Sequence, residues 1–442
     1  MKNEIKKEKC FWACVLCGCF FLYLMWAVII PYDHAPDEYM RYDIPEYIFK
    51  YGRLPHGGAE EIRNPIWGFS YGFTPITSYI IGAFFMWITS IFNASDFALL
   101  IAARLVSVLF SVGTVFLCIK ISNRIFKSVF KYAFVISVAI LPQFVFISSY
   151  VNNDAFGLFT VAWIIYAMIY ANDNKWNLKS CIFLGVGIGL CLISYYNCYG
   201  IIIAAFIFAI LSVIYDESIE HKFKFAMTRI IWILITVLLV SGWWFIRNAI
   251  LYDGDFLGLS TSRKYGEKYA WDMYKPSNRV TPYNSGLSMK EMLIDKKWIE
   301  LTAKSFIGYF DYMSLPVKDW CYNIMYVVAA ACIVGNLIPG RLCGIAKDKT
   351  LSFVKLAMVI MCIITIGLSV GYSYFSDFEP QGRYLLPMLI SFNLLIINGW
   401  ERIFNRCNHK IKGLGAAIII GIYCVVCIYS TSYILIPRYI YM

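Results

Sequence analysis

Two adjacent carboxylates that could take part in proton transfer follow the first long apolar run of the chain. Asp37 and Glu38 lie in the segment 31–43, which also contains Asp33. If the apolar run crosses a membrane, an acidic cluster beside the bilayer is costly unless it binds a cation or serves a proton-transferring step. Asp37 and Glu38 are therefore the first catalytic candidates. The alternative is a solvated loop that begins a surface helix, because Pro36 followed by two acids also favours a helix start.

A further carboxylate, Asp154, follows two asparagines in the motif VNNDAF. Its simpler role is to cap the next helix, because Asn and Asp accept the unpaired amide protons at helix starts. The functional interpretation gains support from the predicted path of the chain, which places Asp154 on the same side of the membrane as Asp37. His34, Asp37 and Asp154 are also candidate ligands of a divalent cation, although their spacing matches no fixed coordination pattern. No cofactor is predicted with certainty, and a divalent cation stays an open option.

Basic residues with aromatic neighbours could hold a phosphate group at the membrane surface. The candidates are Arg247 in SGWWFIRN, Arg263 and Lys264 in the segment that follows it, and Arg383 in EPQGRYLLP. Cationic side chains bind phosphates, and aromatic rings stack on the apolar faces of sugars. The alternatives are snorkelling towards lipid headgroups, an ordinary aromatic belt and, for Arg383, a local ion pair with Glu379 or Asp377.

The composition identifies the elements that must position these residues. The chain has 442 residues, of which 60% are hydrophobic and only 15% charged, whereas soluble chains carry about a quarter charged residues. This excludes a soluble multidomain enzyme and predicts a polytopic membrane protein. The net charge of +11 does not indicate nucleic-acid binding, because the basic residues lie mainly in short connections, where they orient membrane spans. The sequence contains no GxxxxGK[ST] motif, which argues against ATP hydrolysis.

The basic connections predict the path of the chain through the membrane. The first helix follows the basic N-terminus MKNEIKKEK, so we interpret it as a retained signal anchor with a cytoplasmic N-terminus. If the apolar run at 73–92 also crossed the membrane, the later basic connections would lie outside. We therefore predict that this run is a re-entrant or interfacial segment at the outer face. The basic connections placed inside are 120–131, 172–179, 221–229, 340–349 and 401–412.

The expected architecture is an all-α polytopic membrane protein with about eleven transmembrane helices. Residues 1–442 form one integral membrane domain, with a first extracytoplasmic loop at 31–96 and a long one at 247–321. The predicted spans are 10–30, 97–118, 130–149, 155–171, 180–195, 199–215, 229–246, 322–338, 351–373, 383–399 and 413–433.

The order of several short motifs resembles a known class of membrane enzymes. The motifs are APDEYMRY, FTPITSY, LPQFVFISSYVNNDAF, SGWWFIRN and EPQGRYLLP. Together they resemble the GT-C class of membrane glycosyltransferases, in particular bacterial relatives of protein O-mannosyltransferases and lipid A aminoarabinose transferases. The resemblance implies a GT-C-like helix bundle with extracytoplasmic interfacial helices and loops.

The resemblance also implies a reaction and its partners. A sugar would move from a polyprenyl-phosphate carrier to a cell-envelope acceptor (a glycan, wall polymer, lipid or protein) at the outer face, with inversion. Asp37 would be the general base, with a pKa that burial can raise towards neutrality, and Glu38 its neighbour. Asp154 would orient the acceptor or share a divalent cation. The carrier phosphate would be held by Arg247, Arg263, Lys264 and Arg383.

A transporter or flippase of lipids or glycans is the alternative from another functional class. It would also need a polar cavity and basic ligands for headgroups. However, it would need polar residues across the whole depth of the bundle, and the predicted spans are largely free of them. Arg104 is the main exception, and it lies near the end of its span.

Overall fold

The computed structural model describes residues 2–126, 128–337, 349–404 and 407–440. The basic connection predicted at 340–349 falls outside these ranges except for its last residue. Most of the described chain is α-helical, as the sequence predicts, and the only paired strands in the described ranges form one short antiparallel hairpin.

In the described ranges, most helices follow one another with short connections, and two longer segments without α-helix lie near 52–76 and 270–297. The α-helices are α1 (Lys2–Ile29), α2 (Glu38–Tyr51), α3 (Thr77–Ser90), α4 (Asp96–Ile125), α5 (Phe130–Ala139), α6 (Pro142–Ile147), α7 (Asp154–Asp173), α8 (Leu178–Leu192), α9 (Gly200–Ile214), α10 (Lys222–Leu251), α11 (Leu259–Tyr269), α12 (Trp298–Gly308), α13 (Asp319–Leu337), α14 (Lys349–Phe375), α15 (Leu389–Ile403), α16 (His409–Tyr429) and α17 (Ile436–Tyr439). Short 3-10 helices are Glu60–Ile62, Tyr71–Phe73, Tyr196–Cys198, Asp272–Tyr274 and Gly382–Met388, and π-helical turns are Glu291–Asp295 and Ser430–Leu435. The strands are β1 (Tyr309–Phe310) and β2 (Leu315–Pro316), with Tyr309 opposite Pro316.

The described ranges contain nine helices that are long and apolar enough to cross a membrane. They are built on α1, α4, α7, α9, α10, α13, α14, α15 and α16, and each overlaps one of the eleven predicted spans. The protein is therefore a multi-pass membrane protein. The two remaining predicted spans are shorter helices. The span predicted at 130–149 is divided into α5 and α6, because Pro142 has no N–H to continue a helix and instead begins a new one.

The segment predicted to be re-entrant or interfacial forms α3. This helix has 14 residues, a length of about 21 Å, which is less than the about 30 Å of a hydrocarbon core. It packs along the first part of α4, where Gly82 faces Ala103 and Val106. The side of the membrane on which α3 and the N-terminus lie stays a prediction.

A buried ion pair connects the first helices of the bundle. Glu38 and Arg104 are both fully buried, and two hydrogen bonds of 2.8 and 2.6 Å join their side chains. Arg104 also donates to the carbonyl groups of Ala27 and Ile30, at 2.7 and 2.6 Å, at the end of α1. Glu38 accepts a further bond of 2.9 Å from the amide of Val151. One pair of side chains thus holds together α1, α2, α4 and the turn before α7.

Replacing Arg104 by Met should strongly destabilise the protein, because it leaves the Glu38 carboxylate buried without its partner. Loss of one partner of a buried ion pair lowers the free energy of unfolding by about 3–5 kcal/mol. We expect a large fall in the Tm of the detergent-purified protein. The double variant Glu38→Gln with Arg104→Met buries no unpaired charge and should recover part of this loss. Equal Tm values for the wild type and Arg104→Met would contradict the structural role of the pair.

Candidate active site

Asp37 immediately precedes α2 and is positioned by its buried neighbour Glu38. Its backbone has φ 63°, in the left-handed region that few residues other than glycine adopt. The Asp37 side chain makes no capping hydrogen bond to α2, so it does not have the role of a helix cap. Conformations of this kind concentrate at functional sites, where the surrounding structure enforces them.

Two arginines face the Asp37 carboxylate. Arg383 Nη2 donates to its Oδ2 at 2.8 Å, and Arg41 Nη2 lies 3.8 Å from the same oxygen. The Asp37 side chain is 28% exposed, whereas the guanidinium of Arg41 is 2% exposed. Burial raises the pKa of Asp37, but the charges of Arg383 and Arg41 outweigh burial and leave this pKa below its ordinary value. The expected rise towards neutrality is therefore wrong, and Asp37 is ionised at neutral pH.

Arg383 reaches Asp37 from the 3-10 helix that precedes α15. The guanidinium is buried and also contacts the carbonyl of Pro36 at 3.4 Å and the hydroxyl of Tyr384 at 3.1 Å. The preceding Gly382 packs directly on α12, and a Cβ at this position would lie 2.0 Å from the amide nitrogen of Phe306. Only glycine permits this contact, which sets the position of Arg383.

Arg41 joins the first loop to the turn before α7. Its Nη1 donates to Asn153 Oδ1 and lies 3.6 Å from Asp154 Oδ2, and its guanidinium stacks over the Tyr71 ring at 4.5 Å. Asp154 is 3% exposed. Asp37 and Asp154 therefore converge on one arginine. Sequence reasoning missed Arg41, although its place four residues after Asp37 was a usable signal.

A cavity of about 260 Å³ lies beside this cluster. It is lined by aromatic, hydroxyl and amide side chains together with one guanidinium: Arg41, Tyr71, Thr74, Asn153, Tyr195, Tyr196, Asn197, Thr365, Ser369, Tyr372 and Tyr384, beside Pro75 and Leu368. Four polar atoms in or near the cavity lining are buried without a hydrogen-bond partner: Arg41 Nε, Ser369 Oγ, Asp154 Oδ2 and Arg383 Nε. Such groups are costly unless they are paired. The cavity therefore suits a ligand with many hydrogen-bonding groups.

Glu379 is a third carboxylate at this site, which the sequence argument considered only as an ion-pair partner of Arg383. It is half-buried and accepts a hydrogen bond from Gln381 Nε2. Burial, together with the nearby charges of Asp377 and Asp37, raises the pKa of Glu379 to about 7, although Arg383 lowers it. A carboxyl group with this pKa exchanges protons near neutral pH.

The other predicted site residues lie elsewhere. Both carboxylate oxygens of Glu38 bind Arg104. Arg247 donates to the carbonyl of Pro55 at 2.6 Å, and Arg263 and Lys264 are exposed on α11. Within the described ranges, neither Arg247 nor these two residues line the cavity beside Asp37. Of the predicted phosphate ligands, only Arg383 belongs to the cluster.

The three candidate ligands of a divalent cation, His34, Asp37 and Asp154, are not grouped around one position. His34 Nδ1 lies 3.5 Å from Asp311, whereas Asp37 and Asp154 face guanidinium groups. Among the residues that the structure describes, no three His, Cys, Asp or Glu side chains are grouped so as to hold a metal ion. These residues therefore do not fit a three-ligand cation site, and we derive no catalytic step through a metal.

Part of the chain is similar to a known protein family. Residues 74–244 match the family model described as dolichyl-phosphate-mannose-protein mannosyltransferase. The match covers less than half of the chain; it includes Asp154 but neither Asp37 nor Arg383. The sequence matches no curated protein.

The solved structures that match include the oligosaccharyltransferase of Archaeoglobus fulgidus, a GT-C glycosyltransferase. Its apo form has a TM-score of 0.54 and 13% identity, over 96% of this chain and 55% of that one. The chain has the GT-C fold. The complex of the same enzyme, AglB, with an inhibitory peptide and a dolichol-phosphate has a TM-score of 0.53 and 12% identity, over 95% of this chain and 54% of that one. The chain thus spans about half the length of AglB.

ArnT from Cupriavidus metallidurans bound to undecaprenyl phosphate has a TM-score of 0.43 and 10% identity, over 89% of this chain and 77% of that one. This score is too low to support a structural argument. The predicted all-α fold class and the resemblance to the GT-C class are confirmed. A shared fold does not by itself determine the reaction, which has to be argued from the site.

The lowered pKa of Asp37 predicts a pH dependence of stability. Its ion pair with Arg383 stabilises the folded protein above the ordinary carboxyl pKa of about 4, and this contribution is lost as the pH falls through the lowered pKa. We expect Tm, measured in detergent from pH 7 down to pH 3, to fall less steeply for Asp37→Asn than for the wild type.

Asp43, in helix α2, provides a control, because its pKa is raised whereas the pKa of Asp37 is lowered. Burial and the charge of Glu46 raise its pKa to about 7, although Lys50 lowers it. Its contribution to stability is therefore lost as the pH rises from about 4 to about 7. Asp43→Asn should raise Tm relative to the wild type at pH 8 and not at pH 4. The same pH dependence in both variants would contradict the assigned environments.

Proposed function

We propose that the protein is an inverting glycosyltransferase that moves a sugar from a polyprenyl-phosphate carrier to a cell-envelope acceptor at the outer face of the membrane. The acceptor class is a glycan, wall polymer, lipid or protein. The observation that carries the proposal is the Asp37 carboxylate, which faces Arg383 and Arg41, together with the cavity rich in tyrosines that Arg41 lines. The GT-C fold and the mannosyltransferase family match of residues 74–244 support it.

Asp37 is the proposed general base. The acceptor oxygen attacks the anomeric carbon while the bond from this carbon to the carrier phosphate breaks on the opposite face, which inverts the configuration. The acceptor proton passes to Asp37, and the polyprenyl phosphate leaves with the bonding electron pair. A carboxylate with a lowered pKa accepts this proton only late, when the acceptor oxygen has largely bonded to carbon. Polyprenyl phosphate is already a good leaving group and needs no separate acid.

Arg383 and Arg41 are the proposed ligands of the carrier phosphate. Both guanidiniums are buried and have an Nε with no hydrogen-bond partner. Fixed cations in a dry site stabilise the negative charge that develops on the leaving phosphate. Because Arg383 also holds Asp37, the same side chain would position the base and the leaving group. Roles for Arg247, Arg263 and Lys264 in carrier binding stay predictions with no contact to this cluster in the described ranges.

The cavity would hold the transferred sugar. Tyr71, Tyr195 and Tyr384 provide rings for the apolar faces of a sugar, and Asn197 and Ser369 provide hydrogen-bonding groups. Arg41 is the only charged side chain among its lining residues in the described ranges.

The two other acids predicted from the sequence, Glu38 and Asp154, have different proposed roles. Glu38 is fully buried and bound to Arg104, so we assign it a positioning role rather than contact with the substrate. Asp154 neutralises part of the charge of Arg41 and keeps one oxygen without a hydrogen bond. That oxygen, Oδ2, lies 3.6 Å from Arg41 Nη1, and Arg41 lines the cavity. The role of Asp154 in orienting the acceptor stays a proposal.

Asp37→Asn should abolish glycan modification while the protein still folds and inserts, because the amide cannot accept the acceptor proton. The measurement is mass spectrometry of cell-surface glycans from a deletion strain complemented with wild type or variant at equal protein level. Glu60→Gln, an exposed acid of the same loop, is the matched control and should restore the glycans fully. Normal glycans with Asp37→Asn would overturn the catalytic assignment. Unchanged glycans in the deletion strain itself would favour the transporter alternative.

Arg383→Gln should lower kcat/KM for the polyprenyl-phosphate donor by about 10- to 150-fold, since a charged hydrogen bond to the leaving group is worth about 1.5–3 kcal/mol. It should also move the acid limb of the pH–rate profile upwards, because the pKa of Asp37 is no longer lowered by Arg383. The assay uses reconstituted protein with a donor and an acceptor found in the glycan experiment. Arg263→Gln, which removes an exposed cation, is the control. An equal loss in both variants would contradict the assigned phosphate site.

A further inference from the structure

A second cavity, with a volume of about 310 Å³, lies between α8, α9 and α10. Its walls are apolar side chains such as Leu184, Ile188, Phe206 and Ile233, and Arg229 is the only charged residue among its lining residues in the described ranges. It shares no lining residue with the cavity beside Asp37. An apolar cavity that contains one cation fits an amphiphile better than it fits a sugar.

Two hydrogen-bond donors of this cavity have no acceptor. Trp176 is 3% exposed, and its Nε1 is buried without a partner. Arg229 Nε is also buried without a hydrogen-bond partner, and the guanidinium stacks over the Phe225 ring at 4.5 Å. Indole and guanidinium groups only donate hydrogen bonds. A ligand of these two donors therefore has to bring acceptor oxygens, and the positive charge of the guanidinium favours a negative charge on them.

The position of Arg229 along α10 sets its depth. It follows the first residue of the helix, Lys222, by seven positions, which is about 10 Å along the axis. Arg247, near the other end of α10, contacts Pro55 in the loop that follows α2. The cavity donors thus lie towards the end of the bundle opposite the candidate active site, at a depth where phosphates of membrane lipids are within reach.

We propose that this cavity binds one anionic phospholipid, with its phosphate on Arg229 and the Trp176 indole N–H and one acyl chain between α8, α9 and α10. Basic pockets between membrane helices bind anionic headgroups in this way. The simpler alternative is that Arg229 reaches the headgroup region of any lipid by snorkelling. That alternative leaves the Trp176 donor unpaired and predicts no preference between lipids. The proposal is independent of the transferase activity proposed above.

The test measures lipid retention by the full-length protein. Purified protein is exchanged into nanodiscs of phosphatidylcholine, or of phosphatidylcholine with phosphatidylglycerol, and retained lipid is counted by native mass spectrometry. We expect wild type to retain one phosphatidylglycerol, and Arg229→Gln to bind it about tenfold more weakly, as expected for loss of one charged hydrogen bond. Lys224→Gln removes an exposed cation from the same helix and should retain the lipid like wild type.

A second variant tests the chain-binding part of the cavity. Ala209→Phe places a ring among the lining residues and should also reduce retention, and if this variant fails to fold, Arg229→Gln still decides the question. Equal retention of phosphatidylcholine and phosphatidylglycerol, or an equal effect of Arg229→Gln and Lys224→Gln, would overturn the proposal. Displacement of phosphatidylglycerol by equimolar polyprenyl phosphate would also overturn it, because the cavity would then be a carrier site.

Discussion

The buried ion pair of Glu38 and Arg104 is the interaction on which the site depends. Both charges are buried away from water, so each side chain needs polar partners. Arg104 donates to carbonyl groups at the end of α1, and Glu38 accepts from the amide of Val151. These contacts fix the start of α2 relative to α4 and α7. Since Asp37 is the neighbour of Glu38 and Arg41 lies one turn later, a structural ion pair positions the residues of the proposed chemistry.

The site itself contains the carboxylates of Asp37, Asp154 and Glu379 and the guanidiniums of Arg41 and Arg383, yet their pairing is incomplete. Asp37 and Asp154 both face Arg41, and Arg383 forms an ion pair with Asp37. Several nitrogen and oxygen atoms are left buried without partners. Such atoms are costly unless they are paired. Their cost is offset if a substrate with phosphate and hydroxyl groups completes the network, which explains why the cluster lies against a cavity and not inside the packed bundle.

The sequence was sufficient for the fold class and for the placement of Asp37 and Asp154 at one end of the bundle, because hydropathy and basic connections determine the path of a membrane chain. The sequence did not identify Arg41 as a site residue, because a position four residues after an acid is also typical of an ordinary ion pair on a helix surface. The phosphate contacts predicted for Arg263 and Lys264 stay predictions, because the alternation of basic and aromatic residues is equally typical of an exposed helix such as α11. Contacts between distant segments, such as Asp37 with Arg383, depend on helix packing that local patterns do not encode.

The separation of 346 positions between Asp37 and Arg383 has a consequence for biogenesis. A membrane protein is inserted from its N-terminus as it is synthesised, so Asp37 enters the bilayer region long before Arg383 exists. During this time the carboxylate has Arg41 as its only cationic neighbour of the final cluster. The proposed catalytic arrangement is completed only when the segment before α15 docks against α12. An unfinished chain therefore holds the proposed base with only one of the two guanidiniums that lower its pKa.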